Sequence, residues 1–299
     1  MGNPTIFSDA STNPQEAVSV GKRDDPTLVD SIFHSLSDDE KEQAARASSY
    51  RYLVASSSSS TEEGRDQRDK HAKAMIERYV TVEQKLNKSN SPDEWQATAC
   101  IKLKKTLEYR EENHVDAMRL CFDKDRQFSD DGLHAALREG LAERFASKCT
   151  VVRGYTNDGL AMNQSFPRND TKWDKEYYIK GNMYMFERAL ACTERKTNGE
   201  KDKVVMFFDY NGYGMKNSPP PMLIKELLSV FRDHWPERLQ YVFVVDSPFI
   251  FRAFWAIIKH FVDPITVSYV QFITGDEQKK IFREIISEDQ AAPFMFDGG

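Results

Sequence analysis

The chain has 299 residues, 40% of them hydrophobic and 29% charged, with a formal net charge of −6. That length supports one large core, or one domain with a smaller helical companion, and the modest hydrophobic fraction implies that part of the chain is polar or unstructured. The acidic balance excludes nucleic acid as the main partner, because phosphate contacts need a basic surplus, but it leaves membranes open through a local basic patch or an apolar face.

Residues 1–27 carry Pro, Asn, Ser and Asp with few large apolar groups and read as a disordered tail. A helical subdomain is expected over 28–146, with a Ser-rich insertion at 56–64. Within it a short helix fits 38–55, and the run Ser56–Ser60 interrupts it, since serines bury nothing and favour non-helical backbone. Residues 65–88 form an amphipathic helix with Ala72, Met75, Ile76, Tyr79, Val82 and Leu86 near one face. Ser91-Pro92-Asp93-Glu94 is a helix start: Ser91 caps, Pro92 suits the first turn and Glu94 completes a capping box. Further helices are expected at 115–122 and at 130–145, the latter with Leu133, Leu137, Leu141 and Phe145 at i+4 spacing.

Beyond residue 146 the pattern changes. Strands are expected at 150–155, 203–209, 240–246 and 270–274, and helices at 173–194, 222–235 and 276–286, with two more helical segments between 248 and 270. Asn157-Asp158-Gly159 is a turn with the residue it needs for a positive φ. Continuous apolar strands alternating with helices predict an α/β fold, a mostly parallel sheet covered by helices, over 147–299.

Four scattered cysteines (Cys100, Cys121, Cys149, Cys192) contain no CxxC pair, and residues 1–20 lack the apolar run of a signal peptide, so reduced thiols in the cytoplasm are expected. No nucleotide, nucleophile-elbow or zinc motif is legible, and the six histidines are dispersed, so neither metal nor cofactor is expected. Asp209 and Asp246 each end an apolar strand, where α/β sheets gather ligands. They could form a general acid/base pair of a hydrolase, or each could simply cap a turn or the next helix.

The stretch 235–266 carries the most information. Trp235-Pro236-Glu237-Arg238-Leu239 leads into an apolar strand, and Asp246-Ser247-Pro248 then opens a helix over 249–261 that is apolar on nearly every face. A helix without a polar face is buried or meets something apolar, and this one is too short to cross a bilayer. Arg252 and Lys259 share one of its faces, as a solvated edge or as cations for anionic lipid headgroups. Glu237 and Arg238 could solvate a turn, or grip a polar headgroup at a pocket rim.

At these residues the chain resembles the CRAL-TRIO lipid-binding family, of the phosphatidylinositol/phosphatidylcholine transfer type. The resemblance rests on the aromatic-Pro-Glu-Arg-Leu turn, the Asp-Ser-Pro-Phe strand exit, Lys259-His260-Phe261-Val262-Asp263-Pro264, the strand ending in Phe208-Asp209, and the closing Pro293 to Gly299. Tyr50-Arg51-Tyr52-Leu53 and residues 103–113 are similar to pieces of that family's N-terminal helices. The resemblance implies one phospholipid, or a similar hydrophobic ligand, in an internal cavity beneath a helical gate over 251–270. Trp255, Ile258, Phe261 and Val262 are its implied apolar contacts, with Val204 and Met206 on the pocket floor. Glu237, Arg238, Thr266 and Tyr269 match headgroup-holding positions. Tyr269 stands where inositol-binding members carry a lysine, Ser56-Ser57 replace a basic pair, and Val204 and Met206 replace hydroxyl residues of choline-lipid binders.

The expected function is therefore binding of one phospholipid and its transfer or presentation between membranes, by a non-enzymatic monomer that is cytoplasmic and touches membranes peripherally. The rivals are a lipid-sensing scaffold of the same fold without transfer activity, and the α/β hydrolase using Asp209 and Asp246.

Overall fold

Side-chain caps start the long helices of the N-terminal half. The computed structural model describes residues 26–55, 61–123, 131–292 and 295. The proposed tail up to residue 25, the serine run and the closing segment (Met295 excepted) lie outside the described residues. Helices α1 (Pro26–Ser35), α2 (Asp38–Ser48), α3 (Tyr50–Ala55), α4 (Glu62–Leu86), α5 (Pro92–Glu112), α6 (Val115–Leu120) and α7 (Asp131–Phe145) come first. Ser37 and Ser91 each form a capping box, with Glu40 and Glu94, so orphan amide groups at the starts of α2 and α5 are satisfied by side chains. The apolar stripe of α4 (Ala72, Met75, Ile76, Tyr79) packs with Ile32, Ala44, Ala45, Ala99 and Leu103 into a helical core. Helix α1 begins inside the expected tail of residues 1–27 and continues where the sequence pattern predicts no particular helix.

The second half contains β1 (Thr150–Tyr155), β2 (Ala161–Ser165), α8 (Lys175–Lys196), β3 (Val204–Asp209), α9 (Pro221–His234) and β4 (Leu239–Val245). It continues with α10 (Phe249–Ile258), α11 (Pro264–Ser268), β5 (Val270–Ile273) and α12 (Gly275–Ile285). The five strands lie in the order β1-β2-β3-β4-β5; β1 and β2 are antiparallel and every other pair is parallel. Parallel neighbours need crossovers, and α8, α9 and the α10–α11 segment supply them. Strand β2 is the element that the sequence reading missed. Its Ala-Met-Asn-Gln-Ser has weak strand propensity, and it is held by pairing on both sides and by the Gln164 amide, which donates to the Arg153 carbonyl at 3.0 Å. The turn before it has Gly159 at φ +89°, as the Asn-Asp-Gly triplet requires.

Alternation along the strands divides the sheet into two unlike faces. Val205, Phe207, Phe243, Val245 and Ile273 point to α12, where they pack with Phe282, Ile286 and Met295. Met206, Phe208, Val242 and Val244 point the other way, beneath α9 and α10, and there the packing opens.

The two halves are pinned together at the α2–α3 corner. Glu194 of α8 accepts from the amides of Tyr50 (2.9 Å) and Arg51 (3.2 Å) and from the Ser49 hydroxyl. A carboxylate at a helix N-terminus satisfies donors that the helix itself cannot. Deeper in, Glu187 of α8 is fully enclosed with Arg110 at 2.7 Å, Arg119 at 3.1 Å and the Trp235 indole N–H at 2.9 Å. Burial pushes its carboxyl up, but the Arg110 and Arg119 charges outweigh that and hold it well below the ordinary carboxylate value.

Candidate lipid cavity

Beneath α9 and α10 lies a cavity of about 710 Å³. That is in the upper part of the range of roughly 300–1,000 Å³ typical of ligand pockets. Met206, Phe208, Val242 and Val244 form its floor, Ile224, Leu227 and Phe231 of α9 one wall, and Phe251, Trp255 and Ile258 of α10 its cover. The cover residues recur at i, i+4 and i+7, so a single helix face closes the space. Two aromatic contacts seat it: Tyr210 and Phe251 have ring centroids 4.0 Å apart, and Trp255 and Phe272 6.0 Å. Behind that face α10 still presents large apolar groups, with Phe249 85% and Ile257 64% exposed.

Four of the expected apolar contacts, Trp255, Ile258, Val262 and Met206, are in the cavity wall. Val204 and Phe261 are placed elsewhere. Val204 begins β3, where the same sheet face is already covered, and it is fully buried in the cluster formed with α8 and Trp235. Phe261 is in the 3-10 turn Lys259–Phe261, 37% exposed, with the Lys225 ammonium 4.7 Å from its ring centroid.

Glu237, Arg238, Thr266 and Tyr269 converge on one end of the cavity. The chain reverses there through a strained residue, Glu237, at φ +58°. Its carboxylate is engaged by Lys85 at 2.7 Å and Lys203 at 3.6 Å. Arg238 is buried, donating to the Ser48 carbonyl (2.9 Å), the Asp202 carbonyl (2.9 Å) and the Asp202 carboxylate (3.1 Å). Burial and the neighbouring Arg78 both disfavour its charge, and Asp202 opposes them. Glu237 and Arg238 thus clamp this turn onto the helical half. Asp263 caps α11 by accepting from the Thr266 amide at 2.8 Å, which turns Thr266 and Tyr269 toward the cavity. Burial, then Glu237 and Asp263, push the Tyr269 phenol up to about 12, so it stays a hydrogen-bond donor.

Other wall residues escaped the sequence reading. Lys102 and Lys105 reach the headgroup end from α5, and no sequence-local signal ties that helix to a turn 130 residues later. Asn163 of β2 lines the cavity beside Met206, 3% exposed, and its side-chain oxygen has no protein partner. Unrecognised with its strand, it is a buried acceptor that a ligand hydroxyl or amine would satisfy.

Asp209 and Asp246 are not in the cavity wall. Asp209 pairs with Arg168 at 2.6 Å and accepts from the Asn211 amide at 3.0 Å. Asp246, at φ +49°, pairs with Lys279 of α12 at 3.0 Å. Each carboxylate has a cation and a structural task, which disfavours the hydrolase. Among the described residues no cluster of His, Cys, Asp and Glu is arranged to hold a metal, and no helix is long and apolar enough to cross a membrane.

Comparison with known proteins adds to this geometry. A model of the CRAL/TRIO domain matches residues 145–294. Phosphatidylinositol/phosphatidylcholine transfer protein SFH7 of Arabidopsis thaliana is 29% identical over 126 residues, which is 42% of this chain and 23% of that protein. Phosphatidylinositol transfer protein CSR1 of Eremothecium gossypii is 25% identical over 146 residues, 47% of this chain and 32% of its own. The SEC14 cytosolic factor of Kluyveromyces lactis is 23% identical over 123 residues, 41% and 38% of the two chains. The match therefore spans well under half the length of these relatives. Among solved structures, the crystal structure of Sfh5 aligns with a TM-score of 0.48 at 16% identity, covering 70% of each chain.

Proposed function

The chain belongs to the CRAL/TRIO domain family, and from that premise we propose that it holds one phospholipid in the cavity beneath α10 and transfers it between membranes. The observation that carries this reading is the space of about 710 Å³ between the apolar sheet face and α10. The relatives named as phosphatidylinositol and phosphatidylcholine transfer proteins support it.

The physical need is one of magnitude. At about 0.8 kcal/mol per methylene, exposing two acyl chains (on the order of 30 methylenes) costs more than ~20 kcal/mol. A pocket that replaces bilayer contacts with apolar side chains removes most of that cost. The acyl chains then lie against Met206, Phe208, Val242 and Val244, and the headgroup at the end bounded by Glu237, Thr266 and Tyr269. In this reading Glu237 and Arg238 shape the headgroup end through their own ion pairs, while Thr266, Tyr269 and Lys105 are the groups left to meet the headgroup. Helix α10 opens at a membrane surface and closes over the lipid. The protein acts as a carrier in peripheral contact with membranes and needs no cofactor beyond its bound lipid.

Native mass spectrometry of protein made in cells tests the binding: one phospholipid mass per chain is expected. Met206→Trp, which pushes an indole from the floor into the cavity, should reduce that mass while melting as the unsubstituted protein does. Vesicle-to-vesicle exchange of labelled phosphatidylinositol and phosphatidylcholine then tests the transfer. Loading without exchange would favour the sensing scaffold, and an empty protein without exchange would overturn the proposal.

A further inference from the structure

The cavity mouth has two lips, and only one of them carries the covering helix. The first is 247–262, which holds α10; the second is 210–225, which runs from the end of β3 into α9. They meet at the Tyr210–Phe251 ring contact and where Lys225 lies over Phe261, with the Arg232 guanidinium donating to the Phe261 carbonyl at 3.5 Å.

Their compositions coincide in an unexpected way. Neither stretch contains an aspartate or glutamate, in a chain with 47 of them. Between them they present Lys216, Lys225, Arg252 and Lys259, all exposed. Among the described residues none of these four forms an ion pair with an acid. Other surface lysines do: Lys73 with Asp30, Lys104 with Glu40, Lys180 with Glu176 and Lys201 with Asp158. Glu226, directly after the second lip, is taken by Lys175 at 3.0 Å. The lips also carry the most exposed large apolar side chains of the described residues: Phe249 (85%), Met215 (72%), Met222 (71%) and Ile257 (64%).

The second lip is held rigidly. Asn217 is buried and donates to the Arg168 carbonyl at 2.8 Å and the Asp170 carbonyl at 3.2 Å. Leu223 is buried, and Phe231 packs on Phe186 with centroids 5.0 Å apart. Helix α10, by contrast, rests on the cavity itself.

We infer that the two lips together form a docking surface for an anionic bilayer, in which the second lip is a fixed anchor. Met215 and Met222 enter the headgroup–acyl boundary and the unneutralised lysines meet lipid phosphates, while α10 swings beside them. A fixed anchor keeps the mouth registered on the membrane when the cover moves, which a docking surface on the moving helix alone does not do. Cations flanking exposed apolar tips, with no acids among them, match a negatively charged lipid surface. The inference rests on the lipid-carrier reading for its purpose, but not for its measurement.

The experiment is co-sedimentation of the full chain with vesicles of phosphatidylcholine alone, or with about one lipid in four replaced by phosphatidylserine. The unsubstituted protein should prefer the anionic vesicles, and the preference should fade as salt rises. Lys216→Gln with Lys225→Gln should weaken anionic binding about 25-fold, from roughly fivefold per lysine. Met215→Asp with Met222→Asp should weaken binding to both vesicle types by about tenfold or more. Neither methionine borders the cavity, so both double variants should still load lipid in native mass spectrometry. Equal binding of the unsubstituted protein to both vesicle types, or unchanged binding by either variant, would overturn the inference; so would binding to acidic proteins but not to vesicles. Failure of every form to load lipid would instead count against the carrier reading and leave the docking measurement standing.

Discussion

The two faces of the sheet are made from the same strands, often from adjacent residues, and are about equally apolar. On the α12 face Phe207 and Phe243 stack with centroids 5.0 Å apart, and Phe282 meets both edge-on at 5.5 and 5.2 Å. On the opposite face Met206, Phe208, Val242 and Val244 border a cavity. Apolar character draws a segment inward but does not say whether its partner is protein or ligand. Buried ions tie the hollow side to the helical half: Glu187 with Arg110 and Arg119, and Arg238 with Asp202.

Substitutions can break that contrast. On the packed face, Phe282→Ala should cost about 3–5 kcal/mol in denaturant unfolding, because aromatic contacts are lost and the site cannot collapse. Between the hollow side and the helical half, Glu187→Gln leaves the buried Arg110 and Arg119 with only the partly exposed Asp116 as acidic partner and should cost about 3 kcal/mol or more. A cost within error of zero would mean that the ion cluster is not what stabilises the hollow side. Met206→Ala, which enlarges a space that already exists, should cost only about 1 kcal/mol in lipid-free protein. If it destabilised as much as Phe282→Ala, the two faces would be energetically alike and the contrast would fail.

A further effect expected is one of pH. His234 stacks on Tyr109 with ring centroids 4.0 Å apart, and its Nδ1 is 2.8 Å from the Thr106 hydroxyl. Burial, helped by the Arg110 charge and opposed by Asp233, pushes its imidazole down to about 4. The unfolded chain binds a proton near the ordinary value of 6.5 while the folded chain does not. Stability contributed here is therefore complete above that value, declines as pH falls toward about 4, and is lost below it. Thermal unfolding of His234→Gln at pH 7 and pH 5 should show a shallower pH dependence than the unsubstituted protein, and an unchanged slope would remove His234 from the account.

Much of the chain was legible because its signals are local. The apolar runs Val204–Asp209 and Leu239–Val245, the Ser91 capping box and the Asn-Asp-Gly turn are decided by neighbours in the chain, and they appear as expected. Strand β2 was not legible, because Asn163 and Gln164 are polar residues made strand by the pairings around them. Helix α1 was missed because its apolar residues, Leu28, Ile32 and Phe33, gain meaning only against α4 and α5. At the site, Met206, Trp255, Ile258 and Val262 are in the cavity wall, while Val204 and Phe261 are not. The partners of Glu237 and Arg238 were invisible, since Lys85, Ser48 and Asp202 lie far away in sequence.

From residue order alone came the alternation of apolar strands with helices, the apolar character of α10 on both its sides, and the family of the Trp235–Thr266 block, because each is written within a few turns of chain. Whether that apolar surface closes on itself or on a guest was decided in three dimensions. Strand parity sends Phe207 to a filled face and Met206 to a hollow one, and only the placement of α9, α10 and α12 determines which face is which.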